Sequence, residues 1–100
     1  MDIKNYIINN ENIKKICKNN KVSKLYLIGS YSREDHIDSS DIDFLVTFQK
    51  TGKALDQYFQ TLEDLKKIIN KPVDLVEESA IKNKTFKNSI EEDKILIYEA

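Results

Sequence analysis

The feature of this sequence that most constrains its fold is the stretch of residues 25–48, in which two apolar runs enclose a polar segment. The first run, residues 25–28, ends abruptly at Gly29 and Ser30, and the second run covers residues 44–46. Short apolar runs bounded by turn residues are typical of buried β-strands. The stretch therefore predicts a strand, a tight turn that opens a short helix, a loop and a second strand.

Two acidic residues, Asp41 and Asp43, stand at the start of the second predicted strand, and ten residues separate Ser30 from the first of them. Burying an unpaired carboxylate is costly, so acids at this place require an explanation. Because side chains alternate along a strand, Asp41 and Asp43 point to one face, with their Cα atoms about 7 Å apart. They can therefore converge on one hard cation such as Mg²⁺.

The turn between the first strand and the short helix has the features of a phosphate-binding site. Gly29 lets a ligand approach the backbone closely, and Ser30 offers a hydroxyl and an amide where a helix begins. Metal-binding carboxylates beside a phosphate cradle are what nucleotidyl transfer requires.

Arg33 is a further candidate phosphate ligand. The chain has 16 Lys and Arg residues, and Arg33 is the single arginine among them. The planar guanidinium group suits phosphate oxygens in a way that lysine does not reproduce. The alternative is an arginine that lies on the surface by chance.

These residues resemble a known family. Gly-Ser, ten residues and Asp-x-Asp match the G-S-x10-D-x-D signature of the polymerase-beta-like nucleotidyltransferase superfamily. The chain is most similar to the minimal nucleotidyltransferases (MNT), small antitoxins encoded beside HEPN-domain toxins. Residues 29–33 resemble the family's G-S-Y-A-R, and residues 40–46 resemble its S-D-I-D-L-L-V. Glu34 stands where the family usually has glycine. This difference leaves open both the path of the short helix and the effect of Glu34 on activity.

The resemblance implies an α/β (α+β) fold of the polymerase-beta type, a small mixed sheet flanked by helices, in a single domain of residues 1–100. It also implies a third carboxylate. Asp74 is an acid embedded among apolar residues of a predicted third strand. In the family this carboxylate completes a two-metal site, here with Asp41 and Asp43, and helps to deprotonate the attacking hydroxyl. The residues alone leave open that Asp74 is a strand-edge acid.

The activity implied by the resemblance is Mg²⁺-dependent transfer of AMP from ATP to a hydroxyl, expected to be a tyrosine, of a partner HEPN toxin. Two Mg²⁺ ions are expected to bind, and the chain would act as an antitoxin. Two alternatives remain: a non-enzymatic antitoxin that works by binding its toxin, and nucleotidyl transfer to a small molecule or an RNA end.

Composition limits the other function classes. A chain of 100 residues with 40% hydrophobic residues can build one core but has little room for a second lobe. A partner protein or a second copy is therefore expected to close the site. The net charge of −1 does not favour direct nucleic-acid binding. No apolar stretch is long enough to span a membrane, no signal peptide is recognised, and the single Cys17 fits a cytoplasmic protein.

The N-terminal apolar spacing predicts one helix from Ile3 through Cys17, capped by Asp2 and ended by Asn19 and Asn20. Its expected task is to cover one face of the sheet.

The remaining elements are predicted from the same periodicities. Residues 53–70 form the clearest amphipathic helix, and residues 73–76 form the third strand. Ser89 and Glu92 match a capping box, or else this segment belongs to one helix that begins earlier. Residues 94–99 are predicted as a final strand, with a continuation of the preceding helix as the alternative.

Several conspicuous side chains are expected to be structural. We predict that Cys17 is a core thiol and that His36 is a surface residue. Tyr31 is predicted to pack in the fold rather than at a nucleotide site. The aromatic residues of the 53–70 helix are predicted to lie in the core.

Overall fold

The computed structural model describes residues 2–100, which form a four-stranded mixed sheet with helices on both faces. The strands follow the order β3-β2-β1-β4; β1 pairs antiparallel with β2 and β4, whereas β2 and β3 are parallel. The strands are β1 (Val22–Ile28), β2 (Ile42–Phe48), β3 (Val73–Glu77) and β4 (Ile95–Glu99). The helices are α1 (Ile3–Ile8), α2 (Glu11–Asn19), α3 (Ser30–Arg33), α4 (Ala54–Ile69) and α5 (Lys84–Asp93), and a 3-10 turn spans Glu78–Ala80.

The main core lies between one face of the sheet and helices α1, α2 and α4. Alternate residues of the strands, such as Leu25, Phe44 and Leu75, point into it, as the two-residue period of a strand requires. The helices contribute fully buried residues, among them Ile13 and Leu65. Burial of this apolar surface is the main stabilising contribution to the sheet that carries the acidic residues.

The N-terminal segment forms two helices, so the prediction of a single helix was wrong. Asn10 is the N-cap of α2, and its side-chain oxygen accepts hydrogen bonds from the backbone N–H groups of Asn12 at 2.8 Å and Ile13 at 3.2 Å. Asparagine caps a helix better than it continues one, and this explains the break. The predicted cap at Asp2 is confirmed, since its carboxylate accepts from the N–H of Lys4 at 3.0 Å.

Helix α4 lies within one residue of its predicted ends, but its aromatic residues do not all reach the core. Tyr58 is half-buried, and its hydroxyl donates a hydrogen bond to the carbonyl oxygen of Leu75 at 2.6 Å. Phe59 is 54% exposed and Leu55 is 69% exposed. Part of the apolar stripe of α4 therefore lies outside the core, and the prediction of a buried Phe59 was wrong.

Helix α5 covers part of the opposite sheet face. Its N-cap is Asn83, whose side chain accepts from the N–H of Phe86 at 3.1 Å, so the longer-helix alternative is correct and the Ser89 capping box is wrong. Ile90, the only residue of α5 that is buried, packs with Ile28 and Leu45 in a second, smaller apolar cluster. The final strand is confirmed as β4.

The predictions for the isolated side chains agree with the structure. Cys17 is fully buried in the main core, and burial raises the pKa of its thiol to about 12. Tyr31 is buried, and the exposed His36 stacks on its ring with the ring centroids 4.0 Å apart. Between residues 2 and 100, no helix combines the length and the apolar character needed to cross a membrane.

Candidate active site

Asp43 and Asp74 are brought together by the parallel pairing of β2 and β3. The two residues are direct partners in the register, and neighbouring strands lie about 4.8 Å apart. Both line a cavity of about 250 Å³ on the sheet face that α5 partly covers. Asp43 is half-buried and Asp74 is exposed. The third predicted acid therefore lies on the same face as Asp43, as a shared site requires.

The electrostatics of Asp43 are those of a carboxylate in a crowded acidic site. Its pKa is raised from 3.8 to about 6, first by burial and then by the negative charges of Asp74 and Asp41. The positive charge of Arg33 opposes this shift in part. Since the repulsion between these carboxylates is relieved by a bound cation, the pair is suited to hold one.

Asp41 differs from the other two acids in its placement. It precedes β2, is exposed, and is not among the residues that line the cavity, although its charge acts on Asp43. Over residues 2–100, no group of three or more His, Cys, Asp or Glu side chains is arranged to hold a metal ion. The donor set that the sheet itself assembles is thus Asp43 with Asp74. Two carboxylates fit Mg²⁺, which usually takes one or two protein carboxylates together with substrate phosphates.

Gly29 makes room for the Asp43 carboxylate. Its φ of 76° lies in the region that favours glycine, and a Cβ at this position would collide with the Oδ2 atom of Asp43. From the sequence, this glycine is expected to let a ligand approach the backbone closely. The structure adds a second requirement, because any other residue would displace one of the two paired acids.

Ser30 is the first residue of α3 and is half-exposed, but it is not among the residues that line the cavity. The turn before it is held by backbone bonds: the N–H groups of Ser32 and Arg33 donate to the carbonyl oxygen of Gly29 at 3.1 and 3.2 Å. The hydroxyl of Ser32 donates to the same oxygen at 2.9 Å. The turn is therefore rigidly built around the Gly29 carbonyl.

Glu34, which replaces the family's usual glycine, ends α3 in the left-handed conformation with a φ of 65°. This is the backbone conformation for which glycine is preferred after a helix. The Glu34 carboxylate lies 3.5 Å from the ammonium group of Lys4. Helix α3 thus ends in the conformation that a glycine would adopt. The Glu34 side chain forms a surface ion pair with Lys4 of α1.

Arg33 lines the cavity, but its guanidinium group is held by two acids. Nε donates to Oδ2 of Asp35 at 3.0 Å, and Nη1 lies 3.6 Å from Oδ2 of Asp93. These partners raise its pKa further. A phosphate that binds Arg33 has to compete with both carboxylates.

The contribution of α5 to this site was not predicted from the sequence. Phe86, Ser89, Ile90 and Asp93 line the cavity opposite the paired acids. No local motif marks these residues, because only the folded chain brings α5 over this end of the sheet.

Comparison with protein-family models identifies residues 11–100 as a polymerase beta nucleotidyltransferase domain. Among curated proteins, two from Methanocaldococcus jannaschii are similar, and both are named as candidate protein adenylyltransferases. MJ1379 is 40% identical over 86 residues, which cover 84% of this chain and 86% of the relative. MJ0128 is 42% identical over 85 residues, with the same two coverages of 84% and 86%.

Solved structures share the fold at lower identity. A structure described as a minimal nucleotidyltransferase superposes with a TM-score of 0.78 at 22% identity and covers 95% of each chain. A toxin–antitoxin crystallised with AMP-PNP gives 0.71 at 23%, covering 92% of this chain and 74% of that one. A tri-AMPylated Shewanella oneidensis HEPN toxin in complex with its MNT antitoxin gives 0.61 at 22%, covering 98% and 71%.

These likenesses confirm the predicted mixed-sheet α+β fold of the polymerase-beta type. Since the family match extends over residues 11–100 and a relative is 40% identical across most of both chains, this chain belongs to the polymerase beta nucleotidyltransferase family.

Proposed function

We propose that this protein is a Mg²⁺-dependent protein adenylyltransferase that transfers AMP from ATP to a tyrosine hydroxyl of a HEPN-domain partner. The observation that carries the proposal is the register of Asp43 with Asp74 in a cavity that Gly29 and Arg33 also line. Two carboxylates beside a close-approach glycine and a guanidinium group provide binding groups for both a divalent cation and a polyphosphate.

The comparisons support the choice of donor, acceptor and partner. The M. jannaschii relatives are named for protein adenylyl transfer, and one similar structure contains the ATP analogue AMP-PNP. Another contains an AMPylated HEPN toxin together with an MNT antitoxin. The proposal extends these properties of the similar proteins to this chain.

Each predicted site residue has a place in this proposal. Asp43 and Asp74, joined by Asp41, would hold the Mg²⁺, two ions in the fully loaded site. Bound Mg²⁺ supplies positive charge next to the phosphates as negative charge develops in the transition state. Gly29 and Ser30 would lie against the triphosphate, and the guanidinium group of Arg33 would pair with its oxygens.

The reaction is an in-line displacement at the α-phosphorus. The acceptor oxygen forms a bond to that phosphorus while the bond to the bridging oxygen of the β-phosphate breaks, so pyrophosphate leaves. The hydroxyl proton passes to the carboxylate of Asp74, which is exposed at the cavity and therefore accessible to an incoming side chain. The half-buried Asp43 is less accessible to the acceptor and has a ligand-holding role.

The size of the cavity supports the need for a partner. At about 250 Å³ it is smaller than the roughly 300–1,000 Å³ of typical small-molecule sites, and one of its two acids is open to solvent. A protein that docks over Asp74 would both enlarge the enclosed site and deliver its own hydroxyl. This fits an acceptor that is part of the partner protein.

The test is to incubate the protein with ATP, MgCl₂ and a HEPN-domain protein. We expect mass spectrometry to find an AMP adduct on a partner tyrosine, and Asp43→Asn and Asp74→Asn to abolish it. If no adduct forms while Asp41→Asn still neutralises the partner, the protein acts by binding alone and the proposal is wrong.

A further inference from the structure

Phe86 is a large aromatic residue that is 47% exposed although it lines the same cavity as Asp43 and Asp74. It lies in the first turn of α5, where its N–H donates to the side chain of Asn83 at 3.1 Å. The backbone that carries the ring is thus held by a capping hydrogen bond. Part of the ring remains available for contact with a ligand.

The cavity is lined by charged and by apolar side chains. The charged residues are Arg33, Asp93 and the paired acids. The apolar residues include Ile28 and Ile90, which are 3% and 6% exposed and belong to the small cluster beneath α5. Phe86 extends this apolar surface toward solvent without being buried in the cluster.

A nucleotide combines the same two kinds of group, because it has a charged phosphate chain at one end and a flat aromatic base at the other. From this match we infer that Phe86 is the base-binding residue, with its ring stacked on the nucleobase of the bound triphosphate. The inference rests on the proposed function and adds a base subsite to it. Stacking on an aromatic side chain favours every base through its π-face, and purines offer the larger surface.

The alternative occupant of this surface is the aromatic ring of the acceptor. The base is favoured because Phe86 shares one small cavity with Gly29 and Arg33, where the phosphates of the same ligand are expected. The acceptor has a separate approach, since Asp74 is open to solvent.

The test compares the Kd of MgATP with the Kd of magnesium tripolyphosphate, which has the phosphates but no base. Calorimetry is done on the wild type, Phe86→Ala, Phe86→Tyr and Phe59→Ala. Phe59 is the matched control, because it is a phenylalanine that is 54% exposed on α4 and does not line this cavity. We expect Phe86→Ala to weaken ATP binding about tenfold, leaving tripolyphosphate binding unchanged. Phe86→Tyr and Phe59→Ala should bind both ligands like the wild type.

Three results would overturn the inference, and they have different meanings. Equal ATP affinity in Phe86→Ala and the wild type removes the base subsite but leaves the proposed function standing; a rise in the KM of the partner in that variant then assigns Phe86 to the acceptor. Equal weakening of ATP and tripolyphosphate means that the variant disturbs the whole cavity. No binding of either ligand by the wild type, even with the HEPN-domain partner bound, overturns the proposed function, and the base subsite with it.

Discussion

The guanidinium Nη1 atom of Arg33 lies 3.6 Å from the Oδ2 atom of Asp93, which joins the last residue of α3 to the last residue of α5. Asp93 is the last residue of a helix whose final turn contains no basic residue, and an acid there is disfavoured by the helix dipole. The ion pair with Arg33 offsets this cost. It also means that Asp93 and a bound phosphate compete for the same side chain.

This competition predicts that Asp93→Asn binds ATP more tightly than the wild type. Loss of the carboxylate frees the guanidinium group of Arg33 from one of its two partners. A partly exposed ion pair of this kind has a strength of about 0.2–1 kcal/mol, so the Kd should fall by about 1.4- to fivefold. Titration calorimetry at moderate salt measures the change.

The control for this prediction is Glu92→Gln, which removes the same charge from an exposed neighbouring residue of α5. The two variants differ in the ion pair with Arg33 and not in net charge. Equal changes in Kd would mean that only the overall charge matters and that Asp93 does not restrain Arg33.

Gly29→Ala is expected to destabilise the fold more than Gly52→Ala. Both glycines have a positive φ, 76° and 79°, but a Cβ at Gly29 meets the Asp43 carboxylate, whereas a Cβ at Gly52 meets nothing within 4 Å. Backbone strain of this type costs about 1–3 kcal/mol, and the collision adds to it only at Gly29. Urea denaturation of both variants measures the difference in the free energy of unfolding. Equal losses would show that the Asp43 carboxylate moves aside without cost.

The strand–helix–strand unit and the third strand could be predicted from sequence because their signals are local. One apolar run ends at Gly29, and the next begins directly after Asp43. An acid among apolar strand residues, such as Asp74, is also recognisable from the sequence alone. The sequence alone leaves the role of Asn10 ambiguous, because asparagine can either lie within a weak helix or cap the start of a new one. The division of α1 from α2 was therefore missed.

The contribution of α5 could not be predicted, because exposure of a residue such as Phe86 depends on tertiary placement. In the sequence, an aromatic residue at helical spacing indicates the core, and the same pattern failed for Phe59 in α4. Asp41 does not line the cavity because it lies in the loop before β2 rather than in the strand. The alternation of side chains along a strand predicts nothing about the path of that loop.

Asp43→Asn is expected to stabilise the ligand-free protein at neutral pH. The folded state raises the pKa of Asp43 from 3.8 to about 6, so between these values the folded protein binds more protons than the unfolded chain. The free energy of unfolding therefore falls as the pH rises through this window, and the penalty is fully present above about pH 6. After allowance for solvent screening, the gain from the variant at pH 7.5 is about 1–2 kcal/mol.

Urea denaturation of Asp43→Asn and the wild type at pH 3.5 and pH 7.5 checks this expectation, since the difference between the two proteins isolates one carboxyl group. The difference in the free energy of unfolding should be small at pH 3.5, where the Asp43 carboxyl group of the folded wild type is protonated and therefore neutral, as is the amide of the variant. It should reach its full value at pH 7.5. A constant difference across this range would contradict a raised pKa at Asp43.

The paired acids also predict a metal-dependent response to nucleotide. At pH 7.5, ATP with MgCl₂ should stabilise the wild type by about 2.7 kcal/mol when free ATP is about 100 times its Kd, and EDTA should remove most of this gain. Asp74→Asn should lose the gain because one of the two paired carboxylates is missing, whereas Asp56→Asn, which removes an exposed acid from α4, should keep it. Thermal unfolding measures each response. An ATP response that survives both EDTA and Asp74→Asn would mean that the nucleotide binds without a cation at these carboxylates, and the metal-holding role of the Asp43–Asp74 pair would be wrong.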